Sequence, residues 1–518
     1  INQPLISNAN AVCKDVTINA GAAHLDMGSS RTLTLSATAV FTNNGTFNCG
    51  AANEELIFAG SGTIAGSAST TFRNLTINST TTLLTIPTIS ANLKLNSTAN
   101  VTAAPNYGAS STLIYNNTGS YNVVTEWTGT AVTAGTGVPN NVIIQNGTTL
   151  NMPTTLRGMA GDLTISSGTL QMNGTSGADL NIGGNWTRVA ATGVFNPNSR
   201  AVSFKGAANQ TVTVVGGGIE RFNILVIDKP NAGTYLMPSA VAGNLTDITV
   251  NGNMASNVAV LQFINLGSLD LNGRTFRVDG NNASSYPGHI YVNGPRVVYN
   301  SAGINNGSFA IMSSTNPNQP NWFTRSVWNN FGTGTLTFNQ DVLVTIADGR
   351  LDWGLDALGV NVTTIQGVLQ INLGGSIVYN SCYYSSTPPS TLRFANTIDY
   401  QVNAGDKTWA FGAIYSGLPG IPYNVEINNT NTDLTINEVR ALRNNLTITD
   451  GRLTINSGPF NIGGNWTRTN PAGITTPPCA FIPNSNRVVF DKTGAGDQFI
   501  TCTANGNVET FYDLDISP

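Results

Sequence analysis

Charge is what this chain lacks most. Only 10% of its 518 residues are Asp, Glu, Lys or Arg, against about 25% in an average soluble domain. The net charge is −4 and no basic stripe occurs, so binding to a nucleic-acid backbone has no electrostatic basis. Histidine appears twice, at His24 and His289, and none of the five cysteines stands in a CxxC. A zinc site therefore lacks its ligands, and no metal or cofactor is implied. No apolar run approaches the roughly 20 residues of a membrane span. No stretch keeps a helical period, which excludes βαβ crossovers. Missing too are the G-x-S-x-G elbow, the P-loop, HExxH, the EF-hand calcium loop and the glycine/aspartate nonapeptide of calcium-binding β-rolls. The sequence opens at Ile1 with no charged-then-apolar leader, and the expectation is a trimmed product whose export signal has been removed.

What fills the chain instead is Gly, at 55 positions, and Asn, which is commoner still, with Thr and Ser filling much of the remainder. Such a composition often belongs to disordered segments. Here 40% of the residues are hydrophobic and fall in short β-branched runs, which points to a fold.

Internal repetition is the strongest signal. Asn181-Ile-Gly-Gly-Asn-Trp-Thr-Arg188 returns unchanged as Asn461-Ile-Gly-Gly-Asn-Trp-Thr-Arg468, 280 positions on. The match runs both ways. Phe195-Asn-Pro-Asn-Ser-Arg-Ala-Val-Ser-Phe204 answers Phe481-Ile-Pro-Asn-Ser-Asn-Arg-Val-Val-Phe490, and Ser111-Thr-Leu-Ile-Tyr115 answers Ser390-Thr-Leu-Arg-Phe394. Two related units are expected at 111–227 and 390–518. A shorter copy lies within 1–110, where Gly45-Thr-Phe-Asn48 and Phe72-Arg-Asn-Leu-Thr-Ile77 carry the same words, and a divergent middle spans 228–389.

Inside the first full copy, the apolar-x-apolar triplets starting at Leu163, Leu180, Val202 and Ile224 are 17, 22 and 22 residues apart. In the second, Leu446, Phe460, Val488 and Leu514 are 14, 28 and 26 apart. Each triplet has the alternation of a strand with one buried face, and Gly and Asn between triplets end strands by accepting positive φ. The expected fold is all-β: a parallel β-helix, or solenoid, of degenerate coils of about 20–25 residues. A string of β-sandwiches would show strands every 8–12 residues and is disfavoured.

The words Leu-Asn-Ile-Gly-Gly-Asn-Trp-Thr, Gly-Thr-Phe-Asn and Phe-x-Asn-Leu-Thr-Ile resemble the repeats of large secreted surface proteins of Bacteroidetes-type bacteria. These are adhesin-like substrates of type IX secretion. The resemblance covers nearly the whole chain. It implies a secreted, surface-associated β-helical segment of a longer protein, with further repeats or a C-terminal sorting domain. The implied partners are cell-surface or extracellular glycans or proteins, or further copies of the chain.

The function expected from this is a non-catalytic structural or adhesive rod. The rival is a polysaccharide lyase or glycoside hydrolase on a β-helix. Its acids would be Asp352 and Asp356 in Asp348-Gly-Arg-Leu-Asp-Trp-Gly-Leu-Asp356, since hydrolysis needs two carboxylates with separated pKa values. However, Asp450-Gly-Arg-Leu453 repeats the first four residues, which marks them as a turn word. Arg274, Arg277, Asp279 and His289 form a second polar cluster. A carbohydrate-binding module is the third class, with Trp186 and Trp466 as its stacking rings. Phe41 stands at the equivalent place in the short copy, which favours core packing for both. Cys479 and Cys502, 23 residues apart, are a disulfide candidate in an oxidising compartment; unpaired thiols are the alternative.

Overall fold

The structure is a computed structural model. It describes residues 4–7, 9–49, 53–251, 259–279, 288–292, 296–301, 307–312, 326–329, 335–346, 350–352, 362–372, 374–377, 381–411, 417–469, 479–492, 496–503 and 508–517. Among the described residues there is no helix. The chain divides into two compact units, Ile1–Thr246 and Asp247–Pro518. One full copy of the repeat falls in each.

The fold is all-β, and its ladders run parallel. In the first unit Leu33, Leu56, Leu75, Leu93, Leu113, Val142, Leu163, Trp186 and Val212 stand in register on successive strands. All nine are buried. Partners lie as few as 18 residues apart at Leu75 and Leu93, and 29 apart at Leu113 and Val142. The second unit builds the same kind of column from Ile248, Phe276, Phe309, Val344, Leu369, Leu392, Val425, Leu446 and Trp466. Alternation explains the burial: in a strand, residues i and i+2 share a face. Leu163–Ile165 buries both ends and leaves Thr164 half-exposed. Each fully buried Leu or Ile contributes about 1.5–3 kcal/mol, and stacking like on like keeps that face continuous.

Here partners are every third strand, with two strands between them. Arg157–Met159, Leu163–Ile165 and Gly168–Gln171 pair with Leu180–Ile182, Trp186–Val189 and Gly193–Asn196 respectively. This corrects one expectation. The triplets at Leu163 and Leu180 are not one column. Leu163 pairs with Trp186, whereas Leu180 stacks on Val202 and Leu225. In the second unit Phe460, Val488 and Leu514 form a column, and Leu446 belongs to another. Steps of 17 and 14 residues are jumps between sheets.

The repeated octapeptide is explained residue by residue. Ile182 and Ile462 are core. A Cβ on Gly183 would lie 2.2 Å from the Ala160 carbonyl oxygen, and one on Gly463 would lie 2.4 Å from that of Arg443. Only glycine lets adjacent backbones come so close. The Asn185 side-chain oxygen accepts the Thr211 N–H at 2.8 Å, and that of Asn465 accepts the Phe499 N–H at 2.9 Å. Below them Asp162 accepts from Asn185 N–H, and Asn445 from Asn465 N–H. Corner amides thus hold the next strand in register.

Candidate functional site

Trp186 and Trp466, weighed above as sugar-stacking rings, are fully buried. The Trp186 ring packs edge-on against Phe195 and Phe222, with centroids 4.7 and 5.3 Å away. Trp466 does the same with Phe481 and Phe511, at 4.6 and 5.3 Å. Neither ring presents a face to a ligand.

Each indole N–H instead donates to a carboxylate that the sequence reading missed. Trp186 Nε1 lies 3.1 Å from Glu220 Oε2, and Arg188 Nε lies 2.8 Å from the same oxygen. Glu220 Oε1 accepts the Arg221 N–H at 3.2 Å. The Glu220 side chain is 2% exposed. Burial pushes its pKa up, and the Arg188 charge pulls it partly back. The second copy repeats the knot: Trp466 Nε1 and Arg468 Nε donate to Glu509 Oε2 at 2.9 and 2.8 Å. Both Glu220 oxygens accept hydrogen bonds, so the carboxylate ties Trp186, Arg188 and the Arg221 backbone together. A pocket of about 320 Å³ opens beside it, lined by Arg188, Ala190, Gly193, Val194, Phe195, Ile219, Glu220 and Arg221.

Two further carboxylates are buried at matching places in the two copies. Glu126 Oε1 accepts from Tyr115 Oη at 2.9 Å, and its carbonyl accepts from Tyr107 Oη at 2.8 Å. Asp406 accepts from Tyr400 Oη at 2.5 Å and from Thr408 N–H at 2.8 Å. Beside them Trp127 Nε1 donates to the Gly158 carbonyl and Trp409 Nε1 to the Ala441 carbonyl, at 2.7 and 2.8 Å. Desolvation raises the pKa of both acids, and the charges of Arg157 and Arg440 oppose the rise.

Lys229 is another unusual group. It is fully buried, and its ammonium donates to the carbonyls of Gly206 and Ala208, at 3.3 and 3.1 Å, and to Gln210 Oε1. Burial lowers its pKa to about 7.

Asp356 lies outside the described residues. Asp352 ends the strand Arg350–Asp352, which pairs with Ser326–Asn329; its side chain lies outside the described residues, so the structure does not bring the two acids together or apart. Arg274 pairs with Asp247 at 2.8 Å, and Arg277 sits in the strand Thr275–Asp279. The side chains of Asp279 and His289 are outside the described residues. Cys502 stands in register with Arg468 and Cys479 with Gly451; a bridge between them involves a Cys479 side chain that is likewise not described. The Asp-Gly-Arg-Leu word at 450–453 runs through a register shift, with Gly451 at φ +81°. Among the described residues no group of three or more His, Cys, Asp or Glu is placed to hold a metal ion.

No protein-family model, no curated protein and no solved structure matches the chain.

Proposed function

We propose that each unit is a parallel β-helix and that the chain is a non-catalytic structural or adhesive segment of a secreted bacterial surface protein. One observation carries the reading: the repeated words are accounted for as architecture. Ile182 and Ile462 fill the core, Gly183 and Gly463 permit close approach, Asn185 and Asn465 fix register, and Trp186 and Trp466 are tied to buried glutamates. A duplication that preserves such residues preserves a scaffold. The mechanism is mechanical: stacked strands bury a continuous apolar column while corners and loops face a glycan, a protein surface or another copy. Secretion and surface attachment rest on the resemblance of the repeat words alone.

Two measurements test this. A β-helical rod of 518 residues, with layers about 4.8 Å apart, is on the order of 100 Å long. Its radius of gyration by X-ray scattering should exceed the roughly 24 Å of a compact chain of that length; a value near 24 Å refutes the rod. Incubation with neutral and acidic polysaccharides should release no reducing ends or unsaturated products. Turnover that disappears in Asp352→Asn or Asp356→Asn would establish the enzyme instead.

A further inference from the structure

The pocket beside Glu220 holds two arginines in unlike states. Arg188 is fully engaged: Nε on Glu220, and its two Nη groups on the carbonyls of Gly193 and Ile219, at 3.3 and 3.1 Å. Arg221 is exposed, and among the described residues its guanidinium makes no ion pair. With Glu220 neutralised by Arg188, Arg221 leaves the pocket one positive charge. Apolar side chains stand among the pocket's mainly polar walls. Val194 and Ile219 are 47% and 42% exposed, and the half-buried Phe195 offers the part of its ring not packed on Trp186.

We propose that this pocket binds a uronic acid residue of an acidic glycan. A carboxylate matches the planar fork of one guanidinium by two parallel hydrogen bonds. The C–H face of a pyranose ring suits Phe195, Val194 and Ile219. A doubly charged phosphate would draw on more than one available cation, and Arg221 stands alone. At about 320 Å³ the pocket is at the small end for ligand sites and is open to solvent. That suits one sugar of a polymer whose neighbours remain in water. The choice of a glycan rests on the adhesive reading above; the carboxylate rests on Arg221.

The duplication supplies an internal control. The second copy keeps Trp466, Arg468 and Glu509 but carries Thr510 where the first has Arg221. Thr is therefore compatible with the knot, and Arg221→Thr should fold normally, as checked by circular dichroism. Calorimetric titration of the whole chain with trigalacturonate should show one site, weakened by added salt. Arg221→Thr should weaken it about tenfold or more, the scale of a lost charge-assisted hydrogen bond. Val194→Asp, which sets a like charge against the ligand at an exposed position, should weaken it as well. Maltotriose should bind at least tenfold more weakly than trigalacturonate. No binding, or binding unchanged in Arg221→Thr, overturns the proposal. Binding of hexanoate but not of trigalacturonate overturns the glycan assignment while leaving the rod measurement untouched.

Discussion

Replacing Lys229 by Met should change how stability depends on pH. The side chain is fully buried and burial lowers its pKa from 10.5 to about 7. In the unfolded chain it titrates near its ordinary value. Between about pH 7 and 10.5 the unfolded state holds a proton that the folded state has released, so stability rises with pH across that window. Below pH 7 both states are protonated and the cost of burying the ammonium is borne in full. A shift from 10.5 to about 7 corresponds to at most ~5 kcal/mol at ~1.36 kcal/mol per unit. Met keeps the length and removes the charge, but it leaves the carbonyls of Gly206 and Ala208 and Gln210 Oε1 without this donor, at about 1 kcal/mol each. The assay is urea unfolding of parent and variant from pH 6 to 10. Their difference cancels every other titration. Relative to the parent, Lys229→Met should lose about 2 kcal/mol or more between pH 7 and 10. A difference that stays constant over that range would show that the three acceptors hold the ammonium as well as water does, and the burial argument would fail.

The remaining perturbations act on the knots and the column. Trp186→Ala and Trp466→Ala should each cost about 3–5 kcal/mol in chemical unfolding, since each ring is fully buried and donates to a glutamate; a cost below 1 kcal/mol in either would contradict the packing. Glu126, Glu220 and Asp406 have folded pKa values raised by burial, so the folded state keeps their protons above the ordinary carboxylate range and stability falls as pH rises through that interval. Glu126→Gln, which still accepts from Tyr115, should flatten that fall in a denaturation series from pH 4 to 7. Gly183→Ala should be far more damaging than Gly174→Ala, because a Cβ meets the Ala160 carbonyl at 2.2 Å in the first case and nothing within 4 Å in the second; equal melting temperatures would refute the close approach.

Much of the architecture was legible in the sequence. Alternation and the Gly/Asn corners located the strands, and the duplicated words located equivalent places in the two units. The column assignment failed because two strands of other sheets lie between partners, so spacing alone cannot distinguish a strand's partner from an intervening strand. Leu163 and Leu180 read alike and lie in different sheets. Glu220 and Glu509 were missed because they sit 34 and 43 residues beyond the tryptophans they bind. A signal existed: Glu220-Arg-Phe222 and Glu509-Thr-Phe511 keep Glu two residues before a matched Phe. In a chain this poor in charge, an acid retained in both copies is a signal of its own. Glu126 and Asp406 were harder, since the residue type changes and the distance to Trp127 and Trp409 changes with it.

The scarcity of charge follows from the stacking. In a parallel, in-register ladder each side chain has its counterparts directly above and below, about 4.8 Å away. A column of like charges at that spacing would cost about 1 kcal/mol per neighbour in water and about 4 kcal/mol near a protein surface. An amide carries both a donor and an acceptor, so a column of asparagines satisfies itself. Asn78, Asn96, Asn116 and Gln145 form such a chain in the first unit, each amide nitrogen on the oxygen of the one before at 2.7–2.8 Å. Asn403, Asn437, Asn456 and Asn484 form another in the second, at 2.7–3.0 Å. Several of the charges that do enter a column come with opposites. Arg393 stands between Gln370 and Glu426 and bonds to both. Arg452 is in register with Asp433 and pairs with it, and Arg487 is in register with Asp513 and pairs with it at 2.8 Å. The composition that first suggested disorder is the one that such stacking selects.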